Sequence, residues 1–315
     1  MRLKNVQIMR VLVTGINGQL GHDVAEILKI KGFEVTGTGT TDKYSGIARL
    51  DPYPDEYLRM DITDADDVRN IFMRVQPDVV VHCAGWTAVD KAEDMENRDA
   101  VYRVNVDGTR YIADMCSRVD AKLIFISTDY VFDGHGSKPW KPDSKEFAPL
   151  NYYGFTKLKG EEAVSSLLKR FFVLRISWVY GINGSNFVRT MLKLAKSHDT
   201  LRVVDDQIGS PGYTRDIADL IAGMCESDRY GFYHAANSGG YISWYDFACE
   251  IFRQAGNNVK VVPVSTEQYG MSAALRPSNS RLDMSKLEEN GFNLLPDWKD
   301  ALTRYLKEVK DNGTD

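Results

Sequence analysis

The sequence lacks the features that mark several large classes of protein. Its 39 basic and 44 acidic residues leave a net charge of −5, which argues against nucleic-acid binding because nucleic-acid binders usually carry a basic face. No apolar run approaches the roughly 20 residues that span a bilayer. The polar stretch 1–7 runs straight into an apolar segment and does not resemble a signal peptide. We therefore predict no nucleic-acid partner and no membrane partner.

Cysteine and histidine are also sparse. The sequence has 4 cysteines and 5 histidines, and none of them shows a CxxC, HxxxH or HExxH spacing, so they predict no metal site. Cys83, Cys116 and Cys249 lie in apolar or helical runs, and we expect them to be buried, reduced thiols. Reduced thiols are typical of the cytoplasm, which is where we expect the protein to be located.

Short apolar runs and helical patterns alternate through the first half of the chain. The runs at 9–15, 33–39, 78–85, 122–128 and 171–177 are typical of strands that are covered on both faces. Their alternation with helices predicts an α/β fold, with a Rossmann-type, doubly wound parallel sheet and right-handed crossovers. Helices are predicted at 20–31, with Ile27, Leu28 and Ile30 on its apolar side, at 64–75, with Thr63 or Asp64 as N-cap, and at 96–118 and 150–168.

The second half has a looser pattern, which we interpret as a smaller domain that closes over the carboxyl ends of the sheet strands. Its helices are predicted at 186–196, 215–225, 243–254 and 298–309. The predicted division is a Rossmann-type domain of residues 1–177 plus roughly 213–240, and a smaller C-terminal substrate-binding domain of residues 178–212 and 241–315.

A glycine triplet joins the first strand to the first helix. Gly15, Gly18 and Gly21 form a GxxGxxG motif, which permits a tight turn and lets the backbone approach a pyrophosphate at the helix N-terminus, where free N–H groups and the helix dipole favour anions. Glycine is common in turns, but the preceding strand and the following helix supply the context that the motif requires. The triplet therefore predicts a dinucleotide site.

The end of the second strand bears on the choice of coenzyme. An acidic residue here commonly binds the adenosine ribose of NAD, whereas this chain has Thr38, Thr40 and Thr41, followed by Asp42 and Lys43. Apart from Asp42, nothing in this stretch would repel a 2′-phosphate. We therefore predict NADPH as the coenzyme, with NADH tolerated.

Two tyrosines and a lysine stand at the start of the fourth helix. Tyr153 and Lys157 are four residues apart and share a helix face, whereas Thr156 occupies the corresponding position for Tyr152. A nearby ammonium favours the phenolate and lowers the tyrosine pKa from its usual value of about 10, so Tyr153 can exchange a proton with a substrate oxygen. Alternatively, the two residues have no catalytic role and merely lie on a solvent-exposed helix face, since many helices carry this spacing.

The strand before this helix ends in polar residues. Ser127, Thr128 and Asp129 follow the apolar run "KLIFI" and should lie at the carboxyl edge of the sheet, where open α/β folds bind ligands. A hydroxyl there can hydrogen-bond the same substrate oxygen as Tyr153. This placement favours a catalytic role for Tyr153 and Lys157.

Together, these motifs resemble the extended short-chain dehydrogenase/reductases. More narrowly, the chain resembles the dTDP-4-dehydrorhamnose reductase family, which completes dTDP-L-rhamnose biosynthesis for cell-surface polysaccharides. The resemblance extends over nearly the whole chain. It rests on the strings "TAVDKAE" (87–93), "STDYVFDG" (127–134), "YGFTKLKGE" (153–161), "RISWVYG" (175–181), "DDQIGSPGYTRDIA" (205–218) and "RPSNSRLD" (276–283).

The resemblance implies a role for each matching residue. The catalytic set would be Thr128, Tyr153 and Lys157. Substrate contacts would come from Val89, Asp129 and Trp178, and Asn105 would shape the active-site helix. The cofactor would be lined by Gly15, Asn17, Gly18, Gln19, Leu20, Asp61, Ile62, Ala84, Gly85, Thr87 and Asn105, together with Tyr153 and Lys157.

Two of these residues, and also Arg276 as a further candidate for substrate binding, have a second interpretation. Asp61, which the resemblance places near the adenine ring, could merely end a strand and start a turn. Trp178 follows a strand, where a buried tryptophan is usually a core residue. Arg276 either pairs with the substrate diphosphate or forms a salt bridge within the protein.

The chain also departs from the family pattern. Ala84-Gly85-Trp86 replaces the usual Ala-Ala-Tyr, and an insertion-like stretch at 42–57 puts the adenosine-ribose contacts in doubt. Members of the family can bind magnesium weakly through glutamates at a dimer contact. Asp23 takes the place of one such glutamate, so we predict no metal, while the resemblance leaves room for a homodimer.

The residue after Asp129 selects among reactions. Related 4,6-dehydratases carry Thr-Asp-Glu, because elimination of water needs an extra acid and base, whereas Tyr130 stands at the third position here. The resemblance therefore implies NAD(P)H-dependent reduction of the C4 ketone of dTDP-4-dehydro-L-rhamnose. Tyr153 would be the general acid, Lys157 would lower its pKa and hold the nicotinamide ribose, and Thr128 would orient the carbonyl.

Two alternatives remain open at this point. One is a reductase or epimerase acting on another nucleotide sugar, because base and sugar stereochemistry cannot be deduced from one sequence. The other is a dinucleotide-binding regulatory subunit resembling the β subunit of methionine adenosyltransferase. Such a subunit would not need the strings "TAVDKAE" and "SWVYG", and both are intact here.

Overall fold

The structure is a computed structural model that describes residues 8–47, 50, 53–270 and 272–313; the polar stretch 1–7 lies outside the described residues. Seven parallel strands form its central sheet. They are β1 (Arg10–Thr14), β2 (Glu34–Gly39), β3 (Glu56–Arg59), β4 (Val79–His82), β5 (Lys122–Thr128), β6 (Phe171–Ile176) and β11 (Gly231–Ala235). The strand order β11-β6-β5-β4-β1-β2-β3 confirms the predicted doubly wound sheet.

Helices cover both faces of this sheet because successive strand residues point to opposite sides. In β1, Val11 and Val13 belong to one apolar cluster and Leu12 belongs to the other. Burying each such side chain stabilises the fold by about 1.5–3 kcal/mol. One face carries α1 (Gln19–Ile30) and α7 (Thr214–Glu226), and the other carries α2 (Ala65–Val75), α4 (Thr109–Val119) and α5 (Tyr152–Leu167).

The N-cap of α2 is Asp64, one of the two residues predicted for that place. Its carboxylate accepts hydrogen bonds from the backbone N–H groups of Asp66 and Asp67, which would otherwise have no partner at the helix start.

The apolar side predicted for α1 is partly wrong. Leu28 is buried, but Ile30 is 58% exposed. The buried side includes three polar residues, His22, Asp23 and Glu26. Polar partners on α7 make this burial tolerable, since Arg215 pairs with Glu26 at 2.9 Å and the Thr214 hydroxyl donates to Asp23. These contacts join residues about 190 positions apart, so the local sequence pattern of α1 does not predict them.

The long helix predicted at 96–118 is interrupted. The chain forms α3 (Arg98–Tyr102), then a π-helical segment (Arg103–Gly108), then α4. Such π-helical turns are rare and often occur at functional sites. The segment contains Asn105, which is 1% exposed, so the irregular backbone sets where this side chain points.

Many of the remaining elements pack around a third apolar cluster, here called the smaller lobe, whereas Leu287 and Leu295 pack in the core of the main sheet. Helices α6 and α8 and the C-terminal helix α11 supply most of its apolar core. The segment 231–235 returns to the main sheet as β11 beside β6, while the domain boundaries themselves stay a prediction. The elements are β7 (Val179–Tyr180), α6 (Phe187–Ala195), β8 (Thr200–Val204), β9 (Ile208–Gly209), β10 (Gly212–Tyr213), β12 (Asn237–Ser238), β13 (Ile242–Ser243), α8 (Trp244–Ala255), β14 (Lys260–Val264), α9 (Thr266–Tyr269), β15 (Asn279–Ser280), α10 (Ser285–Glu289), β16 (Leu295–Asp297) and α11 (Trp298–Asp311).

All four cysteines are free thiols. Cys116 is buried as predicted, but Cys83 and Cys249 are only partly buried, so that part of the prediction is wrong. Cys83 lies on a cavity wall, and Cys249 lies on α8 away from the buried Phe247 and Ile251. Among the described residues, no helix combines the length and the apolar character needed to cross a membrane.

Candidate active site

A cavity of about 710 Å³ opens at the carboxyl edge of the sheet. It lies where open α/β sheets bind ligands, next to the point at which the strand order reverses between β1 and β4. The structure brings most of the predicted site residues onto its walls. These are Gly15, Asn17, Gly18, Gln19, Leu20, Asp61, Ile62, Ala84, Gly85, Thr87, Thr128, Asp129, Tyr153, Lys157 and Trp178.

One end of the cavity is the glycine loop. Gly15 has φ +68°, and an added Cβ would lie 2.7 Å from the backbone of Ala84, so only glycine fits here. Gly18 is the N-cap of α1, and neither a side-chain cap nor an acidic residue competes for the N–H groups of the first turn. The loop therefore fits a pyrophosphate at the helix N-terminus.

The wall next to this loop is lined by hydroxyl groups. Thr38, Thr40, Thr41 and Ser45 all face the cavity. The Asn17 amide donates to the Thr41 hydroxyl at 2.9 Å and accepts from the Ser45 N–H at 3.1 Å, so part of the insertion-like stretch builds this wall. These neutral groups could hold an adenosine ribose with or without a 2′-phosphate.

Two acidic residues lie near this wall, Asp42 after β2 and Asp61 after β3. The Asp42 side chain is 95% exposed and pairs with Arg59 at 3.8 Å. Asp61 both lines the cavity and accepts two hydrogen bonds from Thr63, at 2.9 Å from its N–H and 2.8 Å from its hydroxyl. Asp61 therefore forms a turn and also lines the part of the cavity where the adenine ring is predicted to bind.

Helix α5 carries Tyr153 on the opposite wall. The helix begins after Asn151, whose amide oxygen accepts from the Gly154 N–H at 2.8 Å. A Cβ on Gly154 would overlap the Tyr130 carbonyl oxygen, so glycine lets the first turn lie directly on the end of β5. The Tyr153 ring then packs edge-on against Tyr130, with ring centroids 5.6 Å apart.

Burial governs the ionisation of Tyr153. It raises the pKa of the phenol above its usual value, although the Thr128 hydroxyl acts in the opposite direction. The expectation that Lys157 holds this pKa below 10 is wrong for this structure, because desolvation of the buried phenolate is the largest influence and raises the pKa. A tyrosine with a raised pKa stays protonated at neutral pH, which suits a proton donor.

Lys157 lies one helical turn further along α5. Its ammonium donates to the Ile126 carbonyl at 2.6 Å and stands 4.2 Å from the centre of the Phe125 ring. Burial lowers the pKa of Lys157 to about 8, and Glu161 partly opposes this. The cation therefore begins to lose its proton just above neutral pH.

We expect kcat/KM for ketone reduction to fall as pH rises through about 8, because Lys157 loses its charge there. Deprotonation removes the cation predicted to hold the nicotinamide ribose. The pH dependence of kcat/KM, measured between about pH 6 and 10, reports on groups of the free enzyme. Asp129→Asn is the comparison, since it removes the group whose pKa is raised to about 6 and should leave the alkaline fall in place. A flat alkaline side would contradict this role of Lys157.

Asp129 and Thr128 form a buried polar pair beside Tyr153. The Thr128 hydroxyl donates to Asp129 Oδ1 at 3.1 Å and accepts from the Tyr130 N–H at 3.3 Å. Asp129 is 3% exposed, and burial raises its pKa to about 6. Its Oδ2 is buried as well, so the carboxylate is shielded from solvent although the residue lines the cavity.

Asn105 does not line the cavity but stands behind its wall. Its side-chain oxygen accepts from the Trp86 N–H at 2.8 Å, and its amide donates to the Thr156 hydroxyl at 3.0 Å. The residue thus ties the loop after β4 to helix α5. This arrangement agrees with a role in shaping the active-site helix and gives no direct contact with the coenzyme space.

Val89 and Arg276 also lie outside the cavity lining. Of the two interpretations of Arg276, the structure shows the salt bridge, to Asp90 at 2.6 Å. Asp90 also accepts from the Ser272 hydroxyl at 2.7 Å and the Ala274 N–H at 3.2 Å. The string "TAVDKAE" therefore anchors the segment before "RPSNSRLD" through Asp90.

Trp178 combines features of a core residue and a site residue. It is half-buried, lines the cavity and stacks on Trp244 with ring centroids 3.7 Å apart. Its backbone has φ +47°, a left-handed conformation that costs a non-glycine residue about 1–3 kcal/mol. Surrounding contacts must therefore hold this backbone in place.

Gln19 makes contacts that sequence reasoning missed. Its side-chain oxygen accepts from the Gly181 N–H at 3.0 Å and from the Asn186 amide at 3.1 Å, while its own amide donates to the Ser185 carbonyl at 3.0 Å. The glycine loop is thereby fastened to the smaller lobe. Partners more than 160 positions apart leave no signal in a local pattern.

A buried ion pair behind the site was missed as well. Arg175, fully buried in β6, donates to both carboxylate oxygens of Glu161, at 2.8 and 2.7 Å. The Ser127 hydroxyl donates to the same carboxylate at 2.5 Å. Two signals could have indicated it, namely an arginine inside an apolar strand and a glutamate four residues after Lys157 on α5.

Comparison with known proteins identifies the family. The sequence model of the family described as RmlD substrate binding domain matches residues 9–311. The chain belongs to this family. Its match across nearly the full length confirms the resemblance on which the site assignment rests.

Individual similar proteins are consistent with this family assignment. The spore coat polysaccharide biosynthesis protein SpsK of Bacillus subtilis is 41% identical, over 95% of this chain and 97% of its own. A dTDP-4-dehydrorhamnose reductase of Aggregatibacter actinomycetemcomitans is 38% identical, over 93% and 97%. The crystal structure of a dTDP-4-dehydrorhamnose reductase from Bacillus anthracis in complex with NADP has a TM-score of 0.85 and 37% identity, covering 96% of this chain and 100% of that one.

Proposed function

We propose that the chain reduces the C4 ketone of dTDP-4-dehydro-L-rhamnose with NADPH, giving dTDP-L-rhamnose. The observation that carries this proposal is a single cavity that has the glycine loop at one end and Thr128, Tyr153 and Lys157 on its opposite wall. Family membership, the reductase names of its relatives and the NADP in the related crystal structure support it.

Each residue has a task in this reaction. NADPH, when bound, supplies the hydride for C4. Tyr153, held in its acid form by burial, donates the phenolic proton to the oxygen that becomes the alcohol. Lys157 would hold the nicotinamide ribose and would supply positive charge to the phenolate left on Tyr153.

The buried pair beside Tyr153 completes the site. Thr128 would hold the ketone oxygen near the phenol, and Asp129, which lines the same cavity, would contact the sugar. The hydroxyl-lined wall at Thr40, Thr41 and Ser45 would accept the 2′-phosphate of NADPH while still tolerating NADH, since the nearby Asp42 side chain is 95% exposed and pairs with Arg59.

The two alternatives are less well supported. A purely regulatory, dinucleotide-binding subunit would not need the proton donor, and an intact Tyr153 and Lys157 in a cavity of this size argue against it. A panel of 4-keto nucleotide sugars with NADPH and with NADH tests the assignment through loss of absorbance by the reduced nicotinamide. We expect the reduced nicotinamide to be oxidised with dTDP-4-dehydro-L-rhamnose and with no other sugar of the panel. Oxidation only with another sugar, or with none, would refute the proposal.

Two further features belong to this proposal. We expect the enzyme to work in the cytoplasm, in keeping with four free thiols, and to form a homodimer, as the family resemblance allows. Neither nucleic acid nor membrane is expected as a partner, given the net charge of −5.

A further inference from the structure

Trp178 is packed from behind by a second tryptophan. Trp244 is the first residue of α8, and its ring lies nearly parallel to that of Trp178, with an interplanar angle of 14° and a centroid distance of 3.7 Å. Phe187 supports Trp244 in turn, at 4.6 Å between ring centroids. Trp178 lines the cavity, whereas Trp244 and Phe187 do not.

A small sheet holds this stack in position. Strand β9 pairs with β13 on one side and with β15 on the other, so Gly209 lies close to the start of α8 and to Ser280. A Cβ on Gly209 would be 2.9 Å from Trp178 Cε2 and 3.1 Å from its Cζ2. Glycine at this position therefore leaves the space that the indole fills.

We infer that Trp244 is a positioning residue for the sugar ring of the substrate, and that Gly209 defines the other limit of the same indole position. This inference rests on the proposed function. Because Trp244 covers one face of the Trp178 ring, a ligand in the cavity cannot contact the indole on that face. The stack thus fixes which side of Trp178 the sugar meets.

The backbone of Trp178 makes such support necessary. Its left-handed conformation at φ +47° is disfavoured for a bulky residue and persists only when neighbouring contacts enforce it. The Gly212 N–H bonds the Trp178 carbonyl at 3.1 Å, and the Trp244 ring holds the side chain. Without Trp244 the indole could turn away from the cavity, and the sugar would lose its apolar contact while Tyr153 and Lys157 stayed in place.

The test compares Trp244→Ala and Trp244→Phe with the wild-type enzyme. We expect Trp244→Ala to raise KM for the nucleotide sugar about three- to tenfold, in keeping with one aromatic stacking contact. Little change is expected in kcat or in the Kd for NADPH, and Trp244→Phe should restore most of the loss. Gly209→Ala would place a Cβ 2.9 Å from Trp178 Cε2, so it should displace the indole and also raise KM.

Two controls separate positioning from general loosening of the lobe. Trp298→Phe alters the same apolar core, where Trp298 is 3% exposed, and should leave KM unchanged. Circular dichroism reports the stack directly, because two stacked indoles give an exciton signal that Trp244→Phe and Trp178→Phe should each abolish, whatever the activity.

The outcomes are distinguishable. Absence of wild-type turnover with dTDP-4-dehydro-L-rhamnose would refute the proposed function. Wild-type turnover, together with an unchanged KM in Trp244→Ala and Gly209→Ala or an equal rise in Trp298→Phe, would refute only the positioning role of Trp244.

Discussion

Replacement of Tyr153 by phenylalanine is expected to lower kcat for ketone reduction by about 10²–10⁴-fold, the usual contribution of a positioned general acid. The change removes only the hydroxyl, so the ring should still pack edge-on against Tyr130. Because the glycine loop and Lys157 are untouched, the Kd for NADPH should stay near that of the wild type. Steady-state kinetics and coenzyme titration by fluorescence measure the two quantities.

The neighbouring tyrosine provides a matched control. Tyr152 precedes Tyr153 on α5, but its hydroxyl makes only a long bond of 3.4 Å to the Arg98 carbonyl, and it does not line the cavity. Tyr152→Phe should therefore turn over at nearly the wild-type rate. Turnover near the wild-type rate in Tyr153→Phe as well would exclude Tyr153 as the proton donor.

The second large effect concerns stability. Arg175→Met is expected to lower the free energy of unfolding by about 3–5 kcal/mol, because removing one partner of a buried pair leaves the other charge uncompensated. Glu161 is 2% exposed and would retain only the Ser127 hydroxyl among its present side-chain donors. Denaturant unfolding of the purified variant measures the loss.

A double variant tests whether the unpaired charge is the cause. Adding Glu161→Gln to Arg175→Met removes that charge, so the double variant should be clearly more stable than Arg175→Met alone. Arg118→Met is the surface control. Arg118 pairs with Asp114 on α4 at 2.9 Å, but both side chains are largely exposed, and such pairs contribute little. If Arg118→Met and Arg175→Met lost equal stability, burial of the pair would not be the reason.

The local sequence around Tyr153 predicts the position of this residue but not its pKa. The spacing of Tyr153 and Lys157 correctly predicts that both lie on the cavity side of one helix. It does not predict the ionisation of Tyr153, since the raised pKa comes from burial under residues distant in sequence. The same limit applies to α1, where the apolar pattern alone does not reveal that His22, Asp23 and Glu26 are buried against α7.

The alternating fold, the glycine loop and the Tyr153–Lys157 pair follow from the sequence, because strand and helix periodicity and motif spacing are short-range properties of the chain. Four other features depend on how the chain folds: Arg276 binds Asp90, Asn105 stands behind the cavity wall, Arg175 is buried against Glu161 and Trp244 stacks on Trp178. Each of those contacts joins side chains from separate elements. Their distance and burial depend on how sheet, helices and lobe pack together, and the sequence near either partner does not encode that packing.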